Sequence, residues 1–173
     1  LQDLRRHWST DAVDPQQALA YWIDTVCDRF LALDIDAPSG KPFRASLDQV
    51  SLGPASANFI AASRQQVRRT PDKIARSGTE TLILLQLRAG RMQLAQGGRD
   101  VTVEQGETVL IDAARPYALA CPVPTSALAL HVPEAWLSRW VTQPTQHALR
   151  CFGIGGWNSA LNAALASLDP STC

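Results

Sequence analysis

Three histidines (His7, His131, His147), four cysteines (Cys27, Cys121, Cys151, Cys173) and an arginine-rich stretch (Arg64, Arg68, Arg69) are the residues whose chemistry stands out. A catalytic divalent metal usually takes about three strong protein ligands, and so few scattered histidines offer no ligand spacing, so no metal and no cofactor are expected. The cysteines are far apart with no Cys-x-x-Cys pair, in a chain long enough to do without disulfide staples, and read as free thiols of a reducing cytosol. Neither a Gly-x-Ser-x-Gly elbow nor a family-specific cysteine motif marks a nucleophile. His131 ends an apolar run, where an imidazole facing a pocket could bond a ligand; a structural histidine beside Pro133 gives the same pattern. Arg44, with Arg64, Arg68 and Arg69, could supply a carboxylate-binding group to a pocket mouth, or be solvated. His7 and His147 support no assignment.

The elements that would position these groups fall into three stretches. Residues 1–42 read as an arm and a helix over Gln16–Leu33, with Leu19, Trp22, Ile23, Val26 and Phe30 on one face and Asp14-Pro15 as its start signal. Within 43–133, short aliphatic and β-branched runs alternate with Gly, Pro and Asp, the rhythm of an antiparallel sandwich or barrel. Strands are expected at Phe43–Leu52, Ala57–Arg68, Lys73–Arg76, Thr81–Ala89, Arg91–Ala95, Arg99–Val103, Thr108–Asp112, Tyr117–Cys121 and Ala127–Val132. Gly97-Gly98 is the clearest hairpin turn, because adjacent glycines accept the positive φ angles of a primed turn. Asp112, Arg115 and Pro116 read as a turn in which the charged pair staples a corner that Pro116 fixes. Residues 134–173 return to helix, at Glu134–Val141 and Trp157–Leu168. Sixteen basic residues balance sixteen acidic ones, without a long run of either sign, so the electrostatic footprint of nucleic-acid binding is missing. No apolar run approaches the ~20 residues of a membrane helix, which with the free thiols points to a cytoplasmic protein.

In order along the chain, Arg69-Thr70-Pro71, Gly90, Gln96-Gly97-Gly98-Arg99, Gln105-Gly106-Glu107, Asp112, Arg115-Pro116-Tyr117 and His131-Val132-Pro133 resemble the N-terminal effector-binding domain of AraC/XylS-type transcription regulators. The resemblance implies a mainly β fold with flanking helices (α+β): a cupin-like antiparallel barrel, or double-stranded β-helix, preceded by a helix and followed by dimerisation helices. It implies a bacterial homodimer that binds a small organic effector and contacts DNA only through a C-terminal helix-turn-helix domain absent from this chain. Trp136, Trp140, Trp157, Leu161, Leu165 and Leu168 become the expected dimer contacts, although packing onto the chain's own barrel would produce the same apolar faces.

Metal-dependent cupins carry Gly, His-x-His and Glu on one strand pair, and Gly, Pro-x-Gly and His on another. Aligned at Gly78, the first motif has Leu84 and Gln86 in place of its histidines; aligned at Gly106, the second has Tyr117 in place of its histidine. Every ligand is lost, which favours a sensor over an enzyme. The same alignment points Leu84, Gln86 and Tyr117 inward, and with His131 and Arg44 they are the expected ligand-binding residues. The arm, Leu1–Asp14 with Trp8, could fold over the pocket. Two alternatives stay open: a metal-independent cupin enzyme of the sugar isomerase or epimerase type, for which only Glu80, Tyr117 and His131 offer acid–base groups, and a filled barrel that serves as a dimerisation module.

Overall fold

The computed structural model of the chain describes residues 5–77, 80–153 and 155–170; the start of the arm, Gly78 of the first cupin-type motif and Cys173 lie outside them. The strands are β1 (Arg5–Ser9), β2 (Asp34–Asp36), β3 (Ala45–Leu52), β4 (Ala55–Ala62), β5 (Gln65–Arg69) and β6 (Thr81–Ala89). They continue with β7 (Met92–Gln96), β8 (Arg99–Val103), β9 (Thr108–Asp112), β10 (Tyr117–Cys121), β11 (Thr125–Pro133) and β12 (Cys151–Phe152). Helices α1 (Ala18–Arg29), α2 (Pro71–Ser77), α3 (Glu134–Leu137) and α4 (Asn158–Ser167) complete the described fold.

All pairings are antiparallel, in a seven-stranded sheet ordered β1-β3-β4-β11-β6-β9-β12 and a five-stranded sheet ordered β2-β5-β10-β7-β8. Alternation along each strand sends one set of side chains between the sheets and the other set outward. On β6, Ile83, Leu85 and Leu87 join the main core; on β11, Ala127 and Ala129 do the same. The expected double-stranded β-helix is therefore present, with its core enclosed between the two sheets.

Two glycines are needed where they stand. Gly97 and Gly98 have φ of +59° and +74°, which closes the β7–β8 hairpin in the expected primed turn. At Gly90, φ is +91° and an added Cβ would lie 2.6 Å from the Pro124 carbonyl oxygen, so the β6–β7 turn touches the β10–β11 turn only without a side chain.

Several expectations need correction. Lys73–Arg76 is the interior of α2, because Thr70-Pro71-Asp72 forms a helix start and Ile74 N–H donates to the Thr70 carbonyl at 3.0 Å. The long strand at Ala57–Arg68 is two strands, β4 and β5, broken at Ser63-Arg64. Helix α1 begins at Ala18 rather than Gln16; Asp14 initiates the preceding turn by accepting from Gln16 N–H at 2.8 Å. Beyond Leu137 the helix expected up to Val141 continues only as hydrogen-bonded turns. The described part of the arm, β1, is an edge strand rather than a lid: it pairs with β3, and Arg5 and His7 both bond Asp48 Oδ1, at 2.9 and 3.0 Å.

Candidate functional site

Between the two sheets lies an apolar cavity of about 70 Å³. Leu47, Ile60, Ile83, Leu85 and Ile111 line it from the larger sheet, while Val67, Met92, Tyr117, Leu119 and Cys121 line it from the smaller one. Helix α1 closes it. The amphipathic face recognised in the sequence lays Trp22, Val26 and Phe30 over the opening, and Trp22 Nε1 donates to Gln65 Oε1 at 3.2 Å, fixing the helix to β5. No lining residue carries a formal charge.

Burial holds the Tyr117 phenol, the Cys121 thiol and the His131 imidazole neutral. Burial pushes the Tyr117 phenol up, although the neighbouring Arg69 guanidinium opposes the shift. Burial also raises the Cys121 thiol, partly offset by a hydrogen bond with Thr125. His131 is the unusual group: desolvation brings its pKa down to about 3. As a residue it keeps some surface, yet its Nε2 is sealed from solvent and has no hydrogen-bond partner among the described residues. Its ring lies 4.1 Å, centroid to centroid, from that of Phe30.

The site residues expected from the sequence separate into distinct places. Tyr117 lines the cavity, and His131 sits on the same inner face of β11 as Ala127 and Ala129. Leu84 and Gln86 do not point inward; the register of β6 turns both to the outer face of the larger sheet. There Leu84 packs with Leu161, Leu165 and Leu168 of the α4 region, and Gln86 Nε2 donates to the Asn162 carbonyl at 2.8 Å. The alignment to the cupin motif placed these positions one residue out of phase, and in a strand a shift of one residue reverses the face. Arg44 is exposed and outside the cavity lining; its backbone N–H donates to Ser63 Oγ.

The turn at Asp112, Arg115 and Pro116 forms, but not through the expected pair. Asp112 Oδ1 accepts from Ala114 N–H at 2.9 Å, while the Arg115 guanidinium lies over Gly97. Gln96 does the stapling: its Oε1 accepts from Asp112 N–H and its Nε2 donates to the Asp112 carbonyl, at 3.1 and 2.8 Å.

Of the expected dimer contacts, Leu165 is buried and Leu161 and Leu168 are partly buried against the chain's own outer sheet face. Asn162 Nδ2 adds bonds to the Phe152 and Gly153 carbonyls, and Arg88 Nη2 donates to the Leu165 and Leu168 carbonyls at the helix C-terminus. Trp136, Trp140 and Trp157 stay exposed, at 39%, 76% and 95%.

Arg69 is the residue that reading the sequence undervalued. Only 1% exposed, it donates to the Ala113 and Ala32 carbonyls, both at 2.8 Å, and to Ser77 Oγ at 2.7 Å. One guanidinium thus joins the β9–β10 turn, the α1–β2 connection and α2. The available signal was the inward alternation of Gln65, Val67 and Arg69 on β5.

Two facing antiparallel sheets with an apolar cavity between them give the domain its cupin-like fold; no group of three or more His, Cys, Asp or Glu is placed to hold a metal among the described residues. The chain belongs to the AraC-binding-like domain family, whose sequence signature matches residues 22–169. It is 27% identical over 128 residues to an uncharacterised protein in the nit 5′ region of Bacillus sp. strain OxB-1, covering 74% of this chain and 50% of that protein. The chain thus spans about half the length of this curated relative. Among solved structures it resembles the AraC-like transcriptional activator CuxR, with a TM-score of 0.78 at 15% identity over 97% of this chain and 64% of that one. A cupin superfamily protein from Desulfitobacterium hafniense DCB-2 has a TM-score of 0.43 at 9% identity, covering 57% of this chain and 84% of its own.

Proposed function

We propose that this chain is the effector-sensing and dimerising domain of an AraC/XylS-type transcription regulator, and that it acts without catalysis. The observation that carries the reading is the apolar cavity between the sheets, closed by α1. Solid barrels fill this space completely, whereas a ligand-responsive one needs a place to enlarge. Against an enzyme stands the state of the acid–base candidates among the described residues: Glu80 is exposed, Tyr117 is held protonated and His131 is neutral.

A ligand can act at a distance only by binding one arrangement more tightly than another. Strand β6 offers a route, since Ile83 and Leu85 face the cavity while Leu84, Gln86 and Arg88 hold α4 from the opposite face. An effector that spreads the barrel would shift this strand and hence the seat of α4. DNA contact is assigned to a domain outside this chain, in a cytosolic homodimer whose interface includes Trp136, Trp140 and Trp157; no helix among the described residues is long and apolar enough to cross a membrane.

The test is thermal unfolding of the 173-residue chain against a panel of small metabolites, with and without a divalent-metal chelator, beside a cavity-filling Leu85→Trp variant. A rise of several degrees that is indifferent to chelator and lost in Leu85→Trp is expected. A ligand response that persists unchanged in a folded Leu85→Trp protein would move the site out of the barrel.

A further inference from the structure

The cavity alone is too small for most organic effectors. An engineered apolar cavity of roughly 150 Å³ is what benzene occupies, about twice the space present here. Something at the boundary must move, and Phe30 is placed to do so. It stands at the C-cap of α1, only partly buried, with one side toward the cavity and its ring against the His131 imidazole.

Behind Phe30 the interior becomes polar. His131 lies on β11 opposite Ser56 of β4 and the cavity-lining Ile83 of β6. Further along the same face Gln49 Nε2 donates to Asn58 Oδ1 at 2.9 Å, and Asn58 Nδ2 donates to Ser56 Oγ at 3.1 Å. These amides satisfy one another. Among the described residues of the inner face, the buried side-chain nitrogen left open is His131 Nε2. A sealed, unpaired polar atom is destabilising, and one set behind Phe30, which itself lines the cavity, needs a reason.

We propose that the barrel takes a small uncharged amphiphile, whose apolar body fills the cavity and whose single hydroxyl or carbonyl-type head bonds His131 Nε2 once Phe30 swings aside. This rests on the reading of the barrel as the effector site and narrows its ligand class. A carboxylate or ammonium would lose its hydration to a lining without charge, since the guanidinium of Arg69 beside Tyr117 is already taken up by the Ala32, Ala113 and Ser77 oxygens, and a sugar would bring several hydroxyls to a lining whose amide, Gln65, is already bonded to Trp22. An apolar molecule with one polar group matches both the lining and the single open nitrogen. The imidazole is neutral, so it can accept from a hydroxyl or, in its other tautomer, donate to a carbonyl.

The probes are benzyl alcohol, toluene and benzoate, measured by calorimetry on the wild-type chain and on Phe30→Ala, His131→Leu and His131→Gln, with ¹⁵N NMR of the His131 ring as a second readout. Benzyl alcohol is expected to bind better than both analogues, with affinity about tenfold higher in Phe30→Ala and about tenfold lower in His131→Leu, partly restored in His131→Gln. Toluene affinity should not respond to His131→Leu, and the His131 Nε2 resonance should shift on adding the alcohol. If toluene and benzyl alcohol bind alike and that resonance is still, the barrel binds apolar molecules but the His131 anchor is refuted. Preferred binding of benzoate would overturn the uncharged class. Should no probe bind even Phe30→Ala, both the ligand class and the barrel as an effector site fall together. If His131→Leu does not fold, the wild-type nitrogen shift decides.

Discussion

Acidification should destabilise this domain through one side chain. In the native state the pKa of His131 is about 3, because charging the ring would place an imidazolium against Phe30 and the inner sheet face. An unfolded histidine titrates near ~6.5. The unfolded chain therefore binds a proton between about pH 6.5 and 3 that the native chain refuses, and stability falls as pH falls through this window. Well below 6.5 the loss is about 1.4 kcal/mol per pH unit, so moving from pH 7 to pH 5 costs about 2 kcal/mol, a large part of the ~5–15 kcal/mol that holds a typical domain. Above pH 7 the contribution is flat. Urea unfolding followed by tryptophan fluorescence at pH 5, 6, 7 and 8, on wild type and His131→Leu, isolates the effect, since His7, His147 and the carboxylates are common to both proteins. The wild type should lose about 2 kcal/mol more than the variant between pH 7 and 5. Parallel pH curves for the two proteins, or an NMR titration midpoint for His131 near the free value, would refute the burial argument.

Other substitutions probe the remaining structural claims. Arg69→Lys should lower stability by about 2–4 kcal/mol in denaturant unfolding, because an ammonium on a flexible stem cannot serve three acceptors arranged around a planar guanidinium. Gly90→Ala should cost more than ~2 kcal/mol, combining a positive φ with a 2.6 Å approach to the Pro124 oxygen, as read from the melting temperature. Leu165→Ala should cost about 2–4 kcal/mol and increase hydrogen exchange in α4, whereas an α4 that only packs across a dimer would show a loss that depends on protein concentration. Trp140→Ala, at an exposed position, should leave the unfolding free energy of a monomer within about 0.5 kcal/mol and shift light scattering toward the monomer; unchanged mass would remove Trp140 from the interface.

Local chemistry made much of this fold readable. Proline and glycine impose backbone geometry wherever they occur, so Gly97-Gly98 announced its hairpin without knowledge of the partners. The 3.6-residue spacing of Trp22, Val26 and Phe30 likewise defined the buried face of α1. The same signals marked Thr70-Pro71-Asp72 as a helix start, and a short aliphatic stretch obscured it. The resemblance to AraC-type regulators rested on such turn pieces in order, which is why the barrel was legible while its contents were not.

What lies inside the barrel depended on phase and on distant partners. A strand repeats every two residues, so the register between β6 and β11 alone decided that Leu84 and Gln86 face α4 while Ile83 and Leu85 face the cavity. Arg69 looks like any solvated arginine until Ala32, Ser77 and Ala113, remote in sequence, converge on it. The sequence by itself determined the turns, the amphipathic helix and the antiparallel class, because these follow from backbone preference and local periodicity. Only the tertiary structure decided which groups line the cavity, that α1 rather than the β1 arm closes it, and that His131 keeps a sealed, unpaired nitrogen behind Phe30, because burial and hydrogen-bond satisfaction belong to neighbours the chain order does not name.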